Sequence, residues 1–223
     1  MLVLRLALAA IGLASTLAFA SPNDPRNGAE YATLPQKVEV KAPAGKVEVI
    51  EFFMYHCPYC NQLEPELAAW VKKQGNAISF RRVHIPYTGT ADPEAHLFLT
   101  LEAMGKGETM FPKIEHAVHV ERARLMKDDA IIEWVGKNGI DKNEFLNVWN
   151  SFGIMTAMKR LPRTIETYRV ESAPTVVVNG RYITSPTQAG SRLVDHSVEA
   201  ANTATIAVLD ALVAKSQAEN AGK

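Results

Sequence analysis

The sequence predicts an α/β fold: a βαβ unit and a later β-hairpin, separated by an inserted all-helical region. Three observations predict it. Residues 47–54 (VEVIEFFM) read as a strand running directly into a helical stripe, and residues 78–85 (ISFRRVHI) read as a second strand; strand, helix and strand thus follow one another within about 40 residues. Residues 88–162 carry helical periodicity and no convincing strand. Strand signals return at residues 175–183, and a long amphipathic helix closes the chain. The expected division is a leader at 1–20, an α/β domain in two parts at 21–87 and 163–223, and the helical insertion at 88–162.

The leader carries one basic residue, Arg5, then an apolar run ending in Ala18-Phe19-Ala20, the small-x-small pattern that a signal peptidase cuts. The run is shorter than the ~20 residues a bilayer core requires. Polar, Pro-rich sequence follows at once, so a mature chain starting near Ser21 is expected, exported to an oxidising space. No other stretch reads as a membrane span. The chain balances 24 basic against 24 acidic side chains, which offers nucleic acid no basic patch by excess. Two cysteines do not make a disulfide scaffold for a chain of this size, so the fold rests on its own core.

Residues 21–45 are rich in Pro, Gly and polar groups, with one short edge strand expected at 38–40. The second half of strand 47–54 is nearly all apolar, as in a central strand covered on both faces. The next helix has Cys57 at its cap, Pro58 at the first helical position, and Leu63, Leu67, Trp70 and Val71 as its buried stripe. Pro65 is expected to kink it. In the insertion, Asp92-Pro93 opens a helix that Gly105 ends. Further helices are expected at 112–122, at 128–137, at 141–152 with an Asp141/Glu144 capping box, and at 154–168 with a bend at Pro162. Asn179-Gly180 between two strand runs is a type I′ hairpin turn. The closing helix is expected from Leu193 to about Lys215, with Val194, Val198, Ala201, Leu209, Leu212 and Val213 facing the core and a frayed tail beyond.

Cys57-Pro58-Tyr59-Cys60 is the sharpest chemical signal. Residues i and i+3 share a helix face, within the reach of a disulfide. At a helix N-terminus, free N–H groups and the dipole favour the thiolate, the nucleophile of disulfide exchange. Cys57, at the tip, is expected to be exposed and to attack. Cys60, one turn in, is expected to be covered and to resolve the mixed disulfide. Structural zinc would need further ligands, and only His56 and His84 offer nitrogens nearby in sequence. No metal is expected, and no cofactor beyond the redox-active Cys57–Cys60 pair.

Glu51 sits in an apolar strand six residues before Cys57. It reads either as a solvated carboxylate at a strand end or as a buried one of raised pKa, able to take and return the Cys60 proton. Arg82 is its candidate partner, or else a surface charge. The ordinary local reading of Ala173-Pro174 is a trans turn; a cis bond would present the Ala173 backbone as an edge for a substrate strand. His56 either tunes the thiolate when protonated or is merely solvated. His84, His96, His116, His119 and His196 show no ligand pattern tied to the cysteines, and the 116/119 pair reads as surface.

The segments VIEFFMYHCPYCNQLEPEL, RRVHIPY, NVWNSF and ESAPTVVVNGRY, in this order and spacing, resemble the DsbA family of bacterial periplasmic disulfide oxidases. The resemblance covers nearly all of the chain after the leader. It implies a thioredoxin fold interrupted by an inserted helical domain. It implies Cys57 as the exposed nucleophile, Cys60 as its buried partner, Pro174 as a cis-proline facing the pair, and Glu51 as the buried acid beneath it. Arg82 stands where the family often has lysine, and Glu64 where it carries an acidic residue near the site. Two residues depart from the family pattern. Tyr59 follows Pro58 where the best-known members have histidine, and Ala173 replaces the more usual valine. The implied activity is donation of a disulfide to newly exported, unfolded proteins, with a DsbB-like membrane quinone reductase as recycling partner. The competing functions are a disulfide isomerase or reductase of the DsbG or DsbC kind, and a non-enzymatic peptide- or metal-binding module. Too few residues precede the first strong strand for the dimerisation domain of DsbG and DsbC, so a monomer is expected.

Overall fold

β2, Val47–Phe53, is the central strand because neither of its faces meets water; all seven residues are buried. The computed structural model describes residues 24–222, so the expected leader and its cleavage site lie outside the described residues. Helix α1, Pro58–Gln74, carries the chain from β2 to the parallel β3, Ile78–His84. On its other edge β2 pairs antiparallel with β4, Thr175–Val178, which turns into β5, Tyr182–Thr184. The two-residue β1, Ala32–Thr33, pairs with β5 and completes the order β1-β5-β4-β2-β3. The register sets Glu51 beside Arg82 on β3 and beside Val176 on β4.

Alternation along β2 divides the core. Val47 and Val49 pack with Leu63 and Leu67 of α1 and with Val208 and Leu212 of α8, Val198–Ala221. Ile50 and Phe52 face the opposite way, onto Ile154, Met158 and Leu161 of α6, Phe152–Thr167. At the end of β2 and just beyond it, Phe53, Tyr55 and both cysteines pack into a third cluster. Its other side chains come from the inserted helices α2 (Pro93–Ala103), α3 (Gly107–His119), α4 (Asp128–Lys137) and α5 (Lys142–Trp149). This is the interrupted α/β architecture read from the sequence, and it sets the cysteines where sheet, α1 and insertion meet.

Several local expectations are corrected. Residues 38–40 form no strand: the edge of β5 is already paired with Ala32–Thr33, and only the Val38 N–H reaches across, to the Gly180 carbonyl. α3 starts at Gly107 rather than 112, because Met110 and Phe111 extend its buried face ahead of Pro112. Pro65 and Pro162 lie inside α1 and α6, as read from the sequence. A short helix, α7 (Pro186–Ala189), was not expected. α8 opens at a Ser197 cap, whose hydroxyl accepts the Ala200 N–H, and continues to Ala221. Val194 therefore lies outside it and is 88% exposed instead of facing the core. Among the described residues no helix is long and apolar enough to cross a membrane.

The hairpin turn gives a direct test. Asn179 and Gly180 adopt φ of 54° and 61°. A Cβ on Gly180 would stand 2.3 Å from the Val38 carbonyl oxygen. Gly180→Ala is expected to lower the unfolding free energy by about 2 kcal/mol, since a positive φ and a backbone clash act together. Denaturant unfolding reads this directly, and an unchanged midpoint would mean that the 38–40 segment moves aside freely.

Candidate active site

The turn after β2 delivers Cys57 to the N-cap of α1. Its Sγ accepts the Cys60 N–H at 3.3 Å, and Pro58 fills the next position, where no N–H is missed. The same sulfur lies 3.6 Å from the Ala173 carbonyl oxygen, and the Ala173–Pro174 bond is cis. The expected contrast of an exposed Cys57 and a covered Cys60 is not found. Cys57 is 5% exposed and Cys60 4%, because the capping sulfur folds back over its own turn and beneath Ala173. The asymmetry is electrostatic. The hydrogen bond from the Cys60 thiol lowers the Cys57 pKa to about 6 against the opposing effect of burial, helped by the N–H groups of Cys60 and Tyr59 and by His56. Cys60 is pushed far up: its proton is committed to Cys57, it is buried, and the Cys57 charge is adjacent.

Beneath the cysteines lies a buried charge cluster. Glu51 is 1% exposed, which selects the buried one of its two readings. Arg82 donates Nε–H to Glu51 at 2.9 Å and its Nη2 to both Glu64 oxygens at 2.8 and 2.9 Å. The Phe111 ring from the insertion covers the guanidinium at 3.9 Å, so Arg82 is no surface charge. Burial outweighs the arginine: the Glu51 carboxyl is raised to about 7, and Glu64 is raised as well, again first by burial. A carboxyl titrating near 7 is matched to passing a proton at neutral pH. Glu51 also opposes the ionisation of Cys60, which places the two within electrostatic reach.

Histidines frame the turn. His56 is part-buried and donates from Nδ1 to Glu94 Oε2 at 2.5 Å. His84 is fully buried; its Nε2 accepts the Tyr55 N–H at 3.2 Å, and burial drives its pKa down to about 3. His119 is not the surface residue expected. It is largely buried and donates Nε2–H to the Tyr55 carbonyl at 2.7 Å, while His116 is exposed. Glu115, next to His119 on α3, is 7% exposed and raised to about 8 by burial. Glu94, Glu115 and His119 carried no signal that sequence reading could use. Glu94 follows a Pro at a helix start, where an acidic residue is ordinary, and its partner lies 38 residues away. Tyr59 is 58% exposed and, with Ala173, Pro174, Pro186, His196 and Val198, lines a groove of about 500 Å³ beside the pair.

Residues 37–195 match a family model described as Thioredoxin. The thiol:disulfide interchange protein DsbA of Burkholderia cepacia is 39% identical over 82% of this chain and 87% of its own. That of Azotobacter vinelandii is 38% identical over 73% and 75%. The crystal structure of Pseudomonas aeruginosa DsbA is 32% identical, superposes with a TM-score of 0.78, and covers 90% of this chain and 98% of its own. The chain belongs to the DsbA family within the thioredoxin superfamily and is a protein thiol:disulfide oxidoreductase, whose partners are proteins undergoing disulfide exchange.

The state of Glu51 has a measurable consequence. Its folded pKa of about 7 lies above the ordinary 4.5. Between these values the unfolded chain releases a proton that the folded one keeps, so stability falls as pH rises through the window and then levels. Glu51→Gln removes this effect. The stability of the reduced variant relative to the reduced parent is expected to grow between pH 4.5 and 7, by on the order of 3 kcal/mol. Parallel stability curves from pH 4 to 8 would mean that Glu51 titrates as an ordinary carboxyl.

Proposed function

We propose that this protein works in the periplasm, released there by cleavage of its leader, and donates its Cys57–Cys60 disulfide to newly exported, unfolded proteins. The observation that carries the reading is the Cys57 sulfur at the α1 N-cap, its thiolate favoured while Cys60 holds its proton. A thiolate stabilised in the reduced enzyme makes the disulfide easy to give away.

The geometry supports the following exchange. A substrate thiolate attacks Cys57 Sγ, forming a mixed disulfide and breaking the Cys57–Cys60 bond. Cys60 leaves with the electron pair and takes a proton, for which the Glu51 carboxyl is the buried source. A second substrate thiolate then attacks the substrate sulfur of the mixed disulfide. Cys57 departs as the stable thiolate, and the substrate has lost two electrons to the enzyme. The groove beside Tyr59 and the carbonyl of Ala173 receive the substrate chain, main chain pairing with main chain. A DsbB-like membrane quinone reductase takes the two electrons and restores the disulfide.

Two measurements test this. Cys60→Ser is expected to accumulate mixed disulfides with exported proteins, and Cys57→Ser to accumulate none; absence of adducts from Cys60→Ser would rule out exchange. Equilibration with glutathione is expected to place the pair well towards the oxidising end of the thioredoxin superfamily. A potential near that of thioredoxin, about −270 mV, would make the protein a reductant instead.

A further inference from the structure

Pro58 and Tyr59, between the cysteines, carry no charge, and Tyr59 turns to solvent. The helix N–H groups are therefore joined by only one side chain that can bring a full positive charge into the turn, and that is His56, the chain neighbour of Cys57. A solvated histidine is mostly neutral at pH 7. His56 is not left to solvent: Nδ1–H meets Oε2 of Glu94, itself 3% exposed, in the first turn of α2.

The surroundings of this pair decide where its proton sits. From β3, His84 Nε2 stands 3.8 Å from the same Glu94 oxygen. That nitrogen already accepts the Tyr55 N–H and cannot hold a proton without breaking the bond. From the α2 cap, Asp92 is committed to the Thr88 N–H and hydroxyl and to the Ala95 N–H. Tyr87 meets the His56 ring edge-on with centroids 5.7 Å apart and adds no charge. Among the described residues, the ion-pair contacts of Glu94 are to His56 and His84 alone, so His56 is left as its cation.

We infer that Glu94 is a positioning residue for disulfide exchange: from the inserted helices it holds His56 as an imidazolium beside Cys57 and so supplies the positive charge that the Pro-Tyr dipeptide lacks. The inference rests on the proposed exchange, in which Cys57 is the sulfur that bonds to the substrate and departs as the thiolate. The electrostatics agree with the geometry. The His56 pKa is raised, first by the bond to Glu94, and His56 and the Cys57 thiolate favour each other's charged forms. The sign is fixed by the raised value: the imidazolium is complete below the ordinary histidine range, persists above it, and is lost only as pH passes the folded pKa. With Cys57 ionising at about 6, thiolate and imidazolium coexist from there up to the raised pKa of His56. Linkage makes the coupling reciprocal.

Thiolate absorbance of the reduced protein against pH tests this. Glu94→Gln is expected to move the Cys57 midpoint upward by about one pH unit, a tenfold loss of thiolate stabilisation. It is also expected to shift the equilibrium with glutathione about tenfold towards the oxidised enzyme. In a His56→Phe background the same substitution is expected to give no upward shift. A rise of equal size with and without His56, or no rise with His56 present, overturns the inference. A second measurement needs no change at Glu94. Followed by NMR in the reduced protein, His56 is expected to keep its proton above the ordinary histidine range and to release it at lower pH in Cys57→Ser. An ordinary His56 titration, unmoved by Cys57, overturns the inference as well. Mixed-disulfide trapping by Cys60→Ser is unaffected by either result, so failure of the exchange reading is seen separately.

Discussion

The first N–H groups of α1 have no carbonyl to bond within the helix. Here the group that meets one of them is a sulfur: Cys57 Sγ accepts the Cys60 N–H in the place where serine or aspartate oxygen usually caps. An N-cap that must also react is under two demands. It gains when the sulfur is negative, because donors and the helix dipole both point at it. It loses when the sulfur is buried, because a charge is then stripped of water. The donors win over the burial, and the fall of Cys57 to about 6 is the net result. The same turn places Cys60 one helical step deeper, where its proton is committed to Cys57 and both burial and the Cys57 charge hold it there. Two chemically identical thiols are thus driven in opposite directions by one hydrogen bond and its consequences.

The charges under the pair obey a different balance. Taking Glu51, Glu64 and Arg82 out of water is costly, and replacing such a cluster with apolar side chains is often neutral or stabilising. One guanidinium against two carboxylates cannot keep both ionised, and burial is the largest influence on each. In the proposed exchange the cluster serves as a proton store rather than as a brace. Arginine in this place sharpens that role. A lysine could give up its proton when buried, whereas a guanidinium does not, so the exchangeable proton is confined to the carboxyls. Of these, Glu51 is the one whose charge is felt at Cys60.

Much of this was legible in the sequence, and the parts that were not share a cause. Cys57 at a cap, Pro58 behind it, the alternating strands and the Asn179-Gly180 turn are all set by residues within four positions of one another, so local chemistry fixes them. The helix starts at Asp92, Asp141 and Ser197 are likewise local; the apolar residues Leu193 and Val194 ahead of Ser197 fit the helical period but lie outside the helix, with Val194 exposed. The burial of Glu51 was one of two open readings, and its partner at Arg82 needed the parallel register of β2 and β3. The near-equal burial of the two cysteines needed Ala173, which lies 116 residues from Cys57. His119 looked like a surface histidine because its partner is a backbone carbonyl, which leaves no trace in any sequence pattern.

The inserted helices gather these distant contributions on one side of the turn. Phe111 covers Arg82, His119 holds the Tyr55 carbonyl, and Glu94 holds His56. Each reaches a residue next to the chemistry and none touches a cysteine sulfur through a hydrogen bond among those described. On the opposite side, β4 and the 172–174 loop bring the backbone oxygen of Ala173 and leave the groove open. In the proposed exchange the substrate chain approaches on that open side, since the other is filled by packed side chains. The insertion therefore shapes the reaction without occupying the substrate's path: it sets the charge around Cys57 and the dryness around Glu51, while the sheet and the loop before β4 set what can approach. A thioredoxin core without this layer would keep the sulfur and its donors at the helix cap and lose the wall that holds His56 beside it and covers Arg82.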